Sequence, residues 1–227
     1  MKKSKYLFVG ITFLLSFGCA LFVAMQVFPN NPFSKTHSKV ENTLENKIQD
    51  GDLIFQTSES SQCEAVRIAT NSKFSHCGLI YNINGNWFVF EAVQPVKLTR
   101  LEDWIQHGKE HKYLVKRLKN ADKVLTPATL QKMKDYSQVF MGKDYDAYFE
   151  WSDTRIYCSE LIWKIYKNGA GIELSKLKQL KDFNLTDPRA QKLVKERYGN
   201  DIPLEEKVVA PSDLVDSDLL KTVIDTY

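Results

Sequence analysis

The sequence predicts an α+β fold, a small antiparallel sheet packed with helices. Three observations carry that expectation. Segments with strand and helix periodicity are mixed without the regular alternation that builds a parallel βαβ sheet. An Asn84-Gly85 pair stands between two apolar runs, the strongest short-range signal for a hairpin. Finally, 43% of the 227 residues are hydrophobic, enough to bury one sizeable core and to exclude wholesale disorder.

Each element follows from local chemistry. Gly51-Asp52 opens a strand over Leu53, Ile54 and Phe55. Residues 61–71 have helical spacing, with Val66, Ala69 and Thr70 turned inward. Residues 76–81 and 87–93 are the two hairpin strands. Thr99-Arg100-Leu101-Glu102 matches a capping box and predicts a short helix through Trp104 and Ile105. Residues 113–118 alternate as a strand. Thr126-Pro127 starts a longer helix, with proline at its first position, and Gly142 ends it. Residues 158–167 form another helix, stopped by Asn168-Gly169. The remainder, 175–227, reads as helical and loop-rich, broken at Pro188, Pro203 and Pro211.

Residues 1–28 are an address, not part of the fold. Lys2, Lys3 and Lys5 precede 23 residues, 6–28, that carry no charge. Three readings stand: an uncleaved membrane anchor, favoured by length; cleavage after Ala20; and lipid attachment at Cys19. Each exports the remainder, to the periplasm or the cell surface, with the lysines kept inside. Residues 29–50 are a polar tether, with a short helix allowed from about Val40. Residues 51–227 are the folded body.

The net charge of +3 is accounted for by the three N-terminal lysines. A body with no net basic charge lacks the main electrostatic support for nucleic-acid binding. C-x-x-C is absent, His107 and His111 flank a charged, solvated loop, Gly108-Lys109-Glu110, and there is no Gly-rich phosphate loop, so neither metal nor cofactor is expected.

Three cysteines, Cys63, Cys77 and Cys158, lie in the body. An odd number in an exported domain points to a free thiol. Cys158 stands at the start of an amphipathic helix, where the dipole and unpaired N–H groups favour a thiolate and can hold an oxyanion. Taken alone, a buried packing thiol is the commoner explanation. A base changes that balance. A two-residue Asn84-Gly85 turn pairs Ile83 with Asn86, which sets Gly78 opposite Glu91. His76 and Glu91 then share one face as diagonal neighbours. The other face carries Cys77, Leu79 and Tyr81 against Phe88, Phe90 and Ala92. A carboxylate within Phe90-Glu91-Ala92 requires a partner, and His76 is in reach. That supplies a nucleophile, a base and an orienting acid. Tyr145 and Tyr157 are candidates to line the site and donate to an oxyanion, with aromatic packing the plainer alternative. Glu160, in the first helical turn, reads as structural.

These residues resemble the circularly permuted papain-fold amidases of the YiiX/YaeF type, within the NlpC-like superfamily. The matching blocks are Gly51-Asp52-Leu53-Ile54-Phe55, Ser75-His76-Cys77-Gly78-Leu79, Glu91-Ala92 with Val96 and Trp104, Gly142-Lys143-Asp144-Tyr145-Asp146, Tyr157-Cys158-Ser159-Glu160-Leu161 and Pro211-Ser212-Asp213-Leu214. The resemblance implies Cys158 as nucleophile, His76 as base and Glu91 as orienting residue. It implies a cysteine hydrolase that cleaves an amide bond through an acyl-enzyme. A cell-wall peptide, a lipid or another small molecule is the implied substrate. Acyl transfer to a lipid or amine, or non-catalytic ligand capture, are the alternatives. Cys77 departs from the aliphatic residue usual in the family, which leaves a Cys63–Cys77 disulfide open.

Overall fold

The computed structural model describes residues 44–227; the leader and the tether up to residue 43 lie outside the described residues. The strands are β1 Leu53–Gln56, β2 His76–Ile83, β3 Asn86–Glu91, β4 Lys97–Arg100 and β5 Leu114–Leu118, followed by β6 Lys178–Gln179, β7 Lys207–Val208 and β8 Leu220–Asp225. The helices are α1 Ser61–Thr70, α2 Leu101–Gln106, α3 Ala121–Val124, α4 Pro127–Gln138, α5 Cys158–Ile165, α6 Pro188–Tyr198 and α7 Pro211–Val215. Six strands form one sheet in the order β4-β3-β2-β1-β5-β8, all neighbours antiparallel; β6 and β7 pair separately.

The hairpin has the expected register. Asn84 and Gly85 take φ of +53° and +82°, as a type I′ turn requires, and Ile83 pairs with Asn86 and Leu79 with Phe90. Because side chains alternate, the sheet presents two apolar faces. Leu53, Phe55, Cys77, Leu79, Tyr81 and Phe90 face the main core, where they meet Leu161, Ile162 and Ile165 of α5. Ile54, Ile80, Val89 and Val115 face a second cluster with Leu101 and Trp104 of α2. Asp52, buried at the start of β1, receives Arg117 Nε and Nη2 at 2.7 Å each. That bidentate pair locks β1 against β5.

Several expectations are corrected. The 175–227 region supplies an edge strand, β8, which residues 114–118 recruit across the chain; its pattern of Lys221, Thr222 and Asp225 among apolar residues marks a half-exposed edge. Packing begins before Gly51, since Ile48 is buried in the second cluster. In α1 the buried residue is Ala65, with Val66 only partly covered. Thr99 does not cap α2. It lies in β4, and the N-cap position is Arg100 with no side-chain hydrogen bond. Cys63, Cys77 and Cys158 are all free thiols, so no Cys63–Cys77 disulfide forms.

Asn168-Gly169 does not stop the helix that follows Cys158. The chain runs on as a π-helical turn through Tyr166–Ala170 and ends at Gly171, with φ of +73°. Gly169 serves another purpose: a Cβ there would stand 2.7 Å from the Met133 Cα of α4. The missing side chain lets the two helices approach closely. Gly169→Ala is therefore expected to lower stability by about 1–3 kcal/mol through overpacking. Urea unfolding measures this; a midpoint unchanged from that of the natural chain would show that α4 can yield without cost.

Candidate active site

β3 ends in Glu91, which is buried. A buried carboxylate is tolerated only when its lone pairs are satisfied. Three donors do so here. Thr99 Oγ1 donates to Oε1 at 2.5 Å, Trp104 Nε1 donates to Oε2 at 2.8 Å, and His76 Nε2 lies 2.6 Å from Oε2. The imidazole also stacks on the Trp104 ring, centroids 5.8 Å apart and planes 26° from parallel. Thr99, Trp104 and Glu91 thus fix the plane and tautomer of His76, and leave Nδ1 as its outward nitrogen. Burial pushes the Glu91 carboxyl up, but the bonds from His76, Thr99 and Trp104 outweigh it and hold the carboxyl below its usual range.

Cys158 occupies the first position of α5. Its N-cap, Tyr157, is extended and makes no side-chain cap bond. The helix therefore offers its N-terminal field to the thiol. The Cys77 thiol, the Cys77 backbone N–H and the His76 ring all bear on the Cys158 sulfur and favour its thiolate. The Cys77 S–H, opposed by burial and joined by the His76 imidazolium, holds the Cys158 thiol well below its ordinary value. Burial drives the Cys77 thiol the other way, and the neighbouring Cys158 sulfur adds to that. For His76, burial favours the neutral ring, yet bonds to Cys158 and Glu91 raise it to about 10. Both directions favour the thiolate–imidazolium form of the pair.

α5 is held in place by Glu160. Fully buried, it reaches Lys164 Nζ at 2.8 Å, and Lys164 also donates to Asp153 Oδ1 and Ser152 O at 2.7 Å. Burial raises Glu160 to about 8. Its place is structural, as the sequence suggests: a buried acid set against Lys164.

Two spaces adjoin these residues, one at His76 and one at Cys158. An open cleft of about 820 Å³ is lined by His76, Glu91, Gln56, Cys63 and His107. A narrow cavity of about 80 Å³ is lined by Cys158 and by apolar side chains of α1, α6 and the 180–209 segment, among them Ala65, Leu180, Leu185, Val194 and Val208. Tyr145 and Ser75 line both. Tyr157 lines only the narrow cavity; its ring meets Phe149 edge to face, and its hydroxyl accepts the Val209 N–H at 3.2 Å. The fold thus brings Cys158, His76, Glu91 and Tyr145 to one place and turns the Tyr157 hydroxyl toward Val209. Sequence reasoning missed Thr99 as a Glu91 partner, because Thr-x-x-Glu fits a capping box equally well. A second signal was present: a threonine one strand from a buried acid, facing the same way.

These charges set the pH dependence of thiol chemistry. At pH 6 a mild alkylating agent is expected to label Cys158 well before Cys63 or Cys77. The rate should stay nearly level up to about pH 9, fall at acid pH as the thiolate protonates, and change again near 10 as His76 loses its proton. In Glu91→Gln the anion that retains the imidazolium is gone, so the acid limb should move to higher pH. Superimposable profiles for the two proteins would remove Glu91 from the constellation.

The chain is 45% identical over 175 residues to an uncharacterized protein, YiiX of Escherichia coli strain K12, covering 77% of this chain and 85% of that one. It superimposes on a crystal structure titled metalloprotein yiiX from Escherichia coli O157:H7, with a TM-score of 0.76 and 44% identity over 80% of this chain and 99% of that one. Among the described residues here, no group of three or more His, Cys, Asp and Glu side chains is placed to hold a metal ion. The Glu91 oxygens and His76 Nε2 already have protein partners. Residues 47–224 match the model of the permuted papain-like amidase enzymes, YaeF/YiiX, C92 family, and the chain belongs to that family.

Proposed function

We propose that the protein is an exported cysteine hydrolase that cleaves an acyl amide. The observation that carries this reading is Cys158 at the start of α5, in the wall of a narrow apolar cavity, with a Glu91-oriented His76 beside it. The thiolate attacks the substrate carbonyl. Negative charge developing on oxygen is met by the first N–H groups of α5 and by the Tyr145 hydroxyl. The His76 imidazolium gives its proton to the departing amine, and the C–N bond breaks. Neutral His76 then takes a proton from water, which attacks the thioester. Collapse breaks the C–S bond and expels the Cys158 thiolate with release of the carboxylic acid, while His76 keeps the proton it took from water.

The apolar cavity favours a fatty acyl chain over a cell-wall peptide as the acyl part, because polar peptide groups would lose their hydrogen bonds against Leu180, Leu185 and Val208. An amine or lipid alcohol in place of water would make the same acyl-enzyme a transferase. Full-length protein is expected to hydrolyse a short fatty acyl amide. Cys158→Ser should abolish turnover. Glu91→Gln should lower kcat by about ten- to a thousandfold without loss of fold, the share of a positioned acid–base group. Product analysis with and without an added amine separates hydrolysis from transfer. Turnover retained in Cys158→Ser would overturn the mechanism.

Export rests on the uncharged 6–28 segment behind Lys2, Lys3 and Lys5. Among the described residues no helix is long and apolar enough to cross a membrane, so any membrane contact through a helix falls to the N-terminal segment. Full-length protein is expected in the membrane fraction, while a chain starting at Pro29 should be soluble and folded. Recovery of full-length protein with the cytosolic fraction would refute the assignment.

A further inference from the structure

Arg197, on α6, stands in the wall of the narrow cavity that reaches Cys158. Apart from Cys158 itself, it is the one side chain with a full charge among those lining that cavity. Arg100, Arg117, Arg155 and Arg189 each lie within ion-pair distance of a carboxylate. Among the described residues Arg197 has no such partner, and its Nη1 is buried with no hydrogen-bond acceptor. Asp146, the carboxylate that acts on Arg197 electrostatically, is already committed: it accepts the backbone N–H groups of Tyr148 and Glu150 at 2.8 and 2.6 Å and faces Arg155 at 3.8 Å.

The guanidinium is also held in a defined place. Its central carbon sits 4.8 Å from the Phe149 ring centroid. Phe149 in turn meets the Tyr157 ring at 5.3 Å, and Tyr157 directly precedes Cys158. Stacking on an aromatic face uses the flat side of a guanidinium and leaves its edge donors unsatisfied. Burial works against the charge on Arg197. A fixed, partly desolvated guanidinium with a buried free donor, one aromatic ring away from a nucleophile's own helix, is what recognition of a planar or tetrahedral anion requires.

We propose that Arg197 is a specificity-determining residue: the substrate of the Cys158 site carries an anionic oxygen group, carboxylate or phosphate, beside its apolar chain, and the Arg197 guanidinium binds that group. This deepens the hydrolase reading and rests on it for the role of Cys158. It narrows the substrate from fatty acyl compounds in general to anionic amphiphiles.

The test measures binding without turnover. In the full chain carrying Cys158→Ala, octanoate, octyl phosphate and octanol are titrated by calorimetry. The anions are expected to bind tighter than octanol by roughly ten- to a hundredfold, the contribution of one charge-assisted pair. The two anions separate a carboxylate from a phosphate preference. Adding Arg197→Gln should bring the anion-to-alcohol ratio close to one, whereas Arg197→Lys should keep part of it. Arg189→Gln removes an exposed charge from the same helix and should leave the ratio intact. Thermal unfolding of each variant checks the fold, and Arg197→Lys carries the test if Arg197→Gln fails to fold. Equal binding of octanol and the anions, no binding of either anion, or a preference that survives Arg197→Gln overturns the proposal and leaves the hydrolase reading standing. An anion preference that depends on Arg197, in a protein whose Cys158 form turns over no acyl amide, upholds the subsite and overturns the hydrolase instead.

Discussion

The site depends on one constraint: a carboxylate, Glu91, is buried at the end of a strand and must be fully hydrogen-bonded to remain there. Its three donors come from three different elements. His76 comes from β2, Thr99 from β4 and Trp104 from α2. Satisfying the acid therefore sets the hairpin register, places β4 at the sheet edge and docks α2 under the second face. It also removes the rotational freedom of the imidazole. The desolvation of one charge thus ties together three of the six strands of the sheet and the base of the candidate active site. The buried Asp52–Arg117 pair does comparable work on the opposite side of β1, but with both charges supplied internally it leaves nothing for chemistry.

The thiol end is built by contrast between two cysteines. Cys158 and Cys77 are both buried and in contact, yet their protonation is driven in opposite directions. Cys77 keeps its proton because burial penalises its thiolate and Cys158 already carries charge nearby. Cys158 loses its proton because a helix N-terminus, the Cys77 thiol and the His76 imidazolium all favour the anion. Proximity of two acids forces the split: once one thiolate forms, a second beside it would meet like-charge repulsion in a medium that screens poorly. Glu91 supplies the anion that favours the protonated form of His76.

Much of this was legible in the sequence, for reasons that can be stated. The Asn84-Gly85 turn fixed the hairpin parity, and parity alone put His76 and Glu91 on one face, as the 2.6 Å contact bears out geometrically. Cys158 at a helix start was legible from the apolar spacing that follows it. Non-local pairing was not legible. β8 is an edge strand with charged residues, and nothing within residues 220–225 says that β5 awaits it. Local motifs misled where two physical roles share one signature. Thr99-x-x-Glu102 is a capping box by spacing, but a threonine hydroxyl satisfies a buried carboxylate more urgently than a solvent-exposed helix end. Asn168-Gly169 looks like a stop, but Gly169 is small because Met133 lies against it. In both cases the long-range contact outweighed the local one.

The distribution of satisfied and unsatisfied groups around the site bears on how it discriminates between ligands. Glu91 meets three donors, His76 Nε2 is held by that carboxylate, and the Tyr157 hydroxyl accepts the Val209 N–H. A ligand gains little by competing for these groups, because each new bond would displace an existing one. Selectivity must come from surfaces that are not already paired. On the narrow side these are apolar walls and the edge of Arg197; on the open side they include the buried Gln56 carbonyl oxygen, which also has no partner. A hydrophobic wall discriminates weakly, by about 1–3 kcal/mol per methylene. A buried donor or acceptor left unpaired by the wrong ligand discriminates far more strongly. The polar groups that the fold leaves unsatisfied on either side of Cys158 therefore set the chemistry of what binds, while those it satisfies hold the thiolate ready.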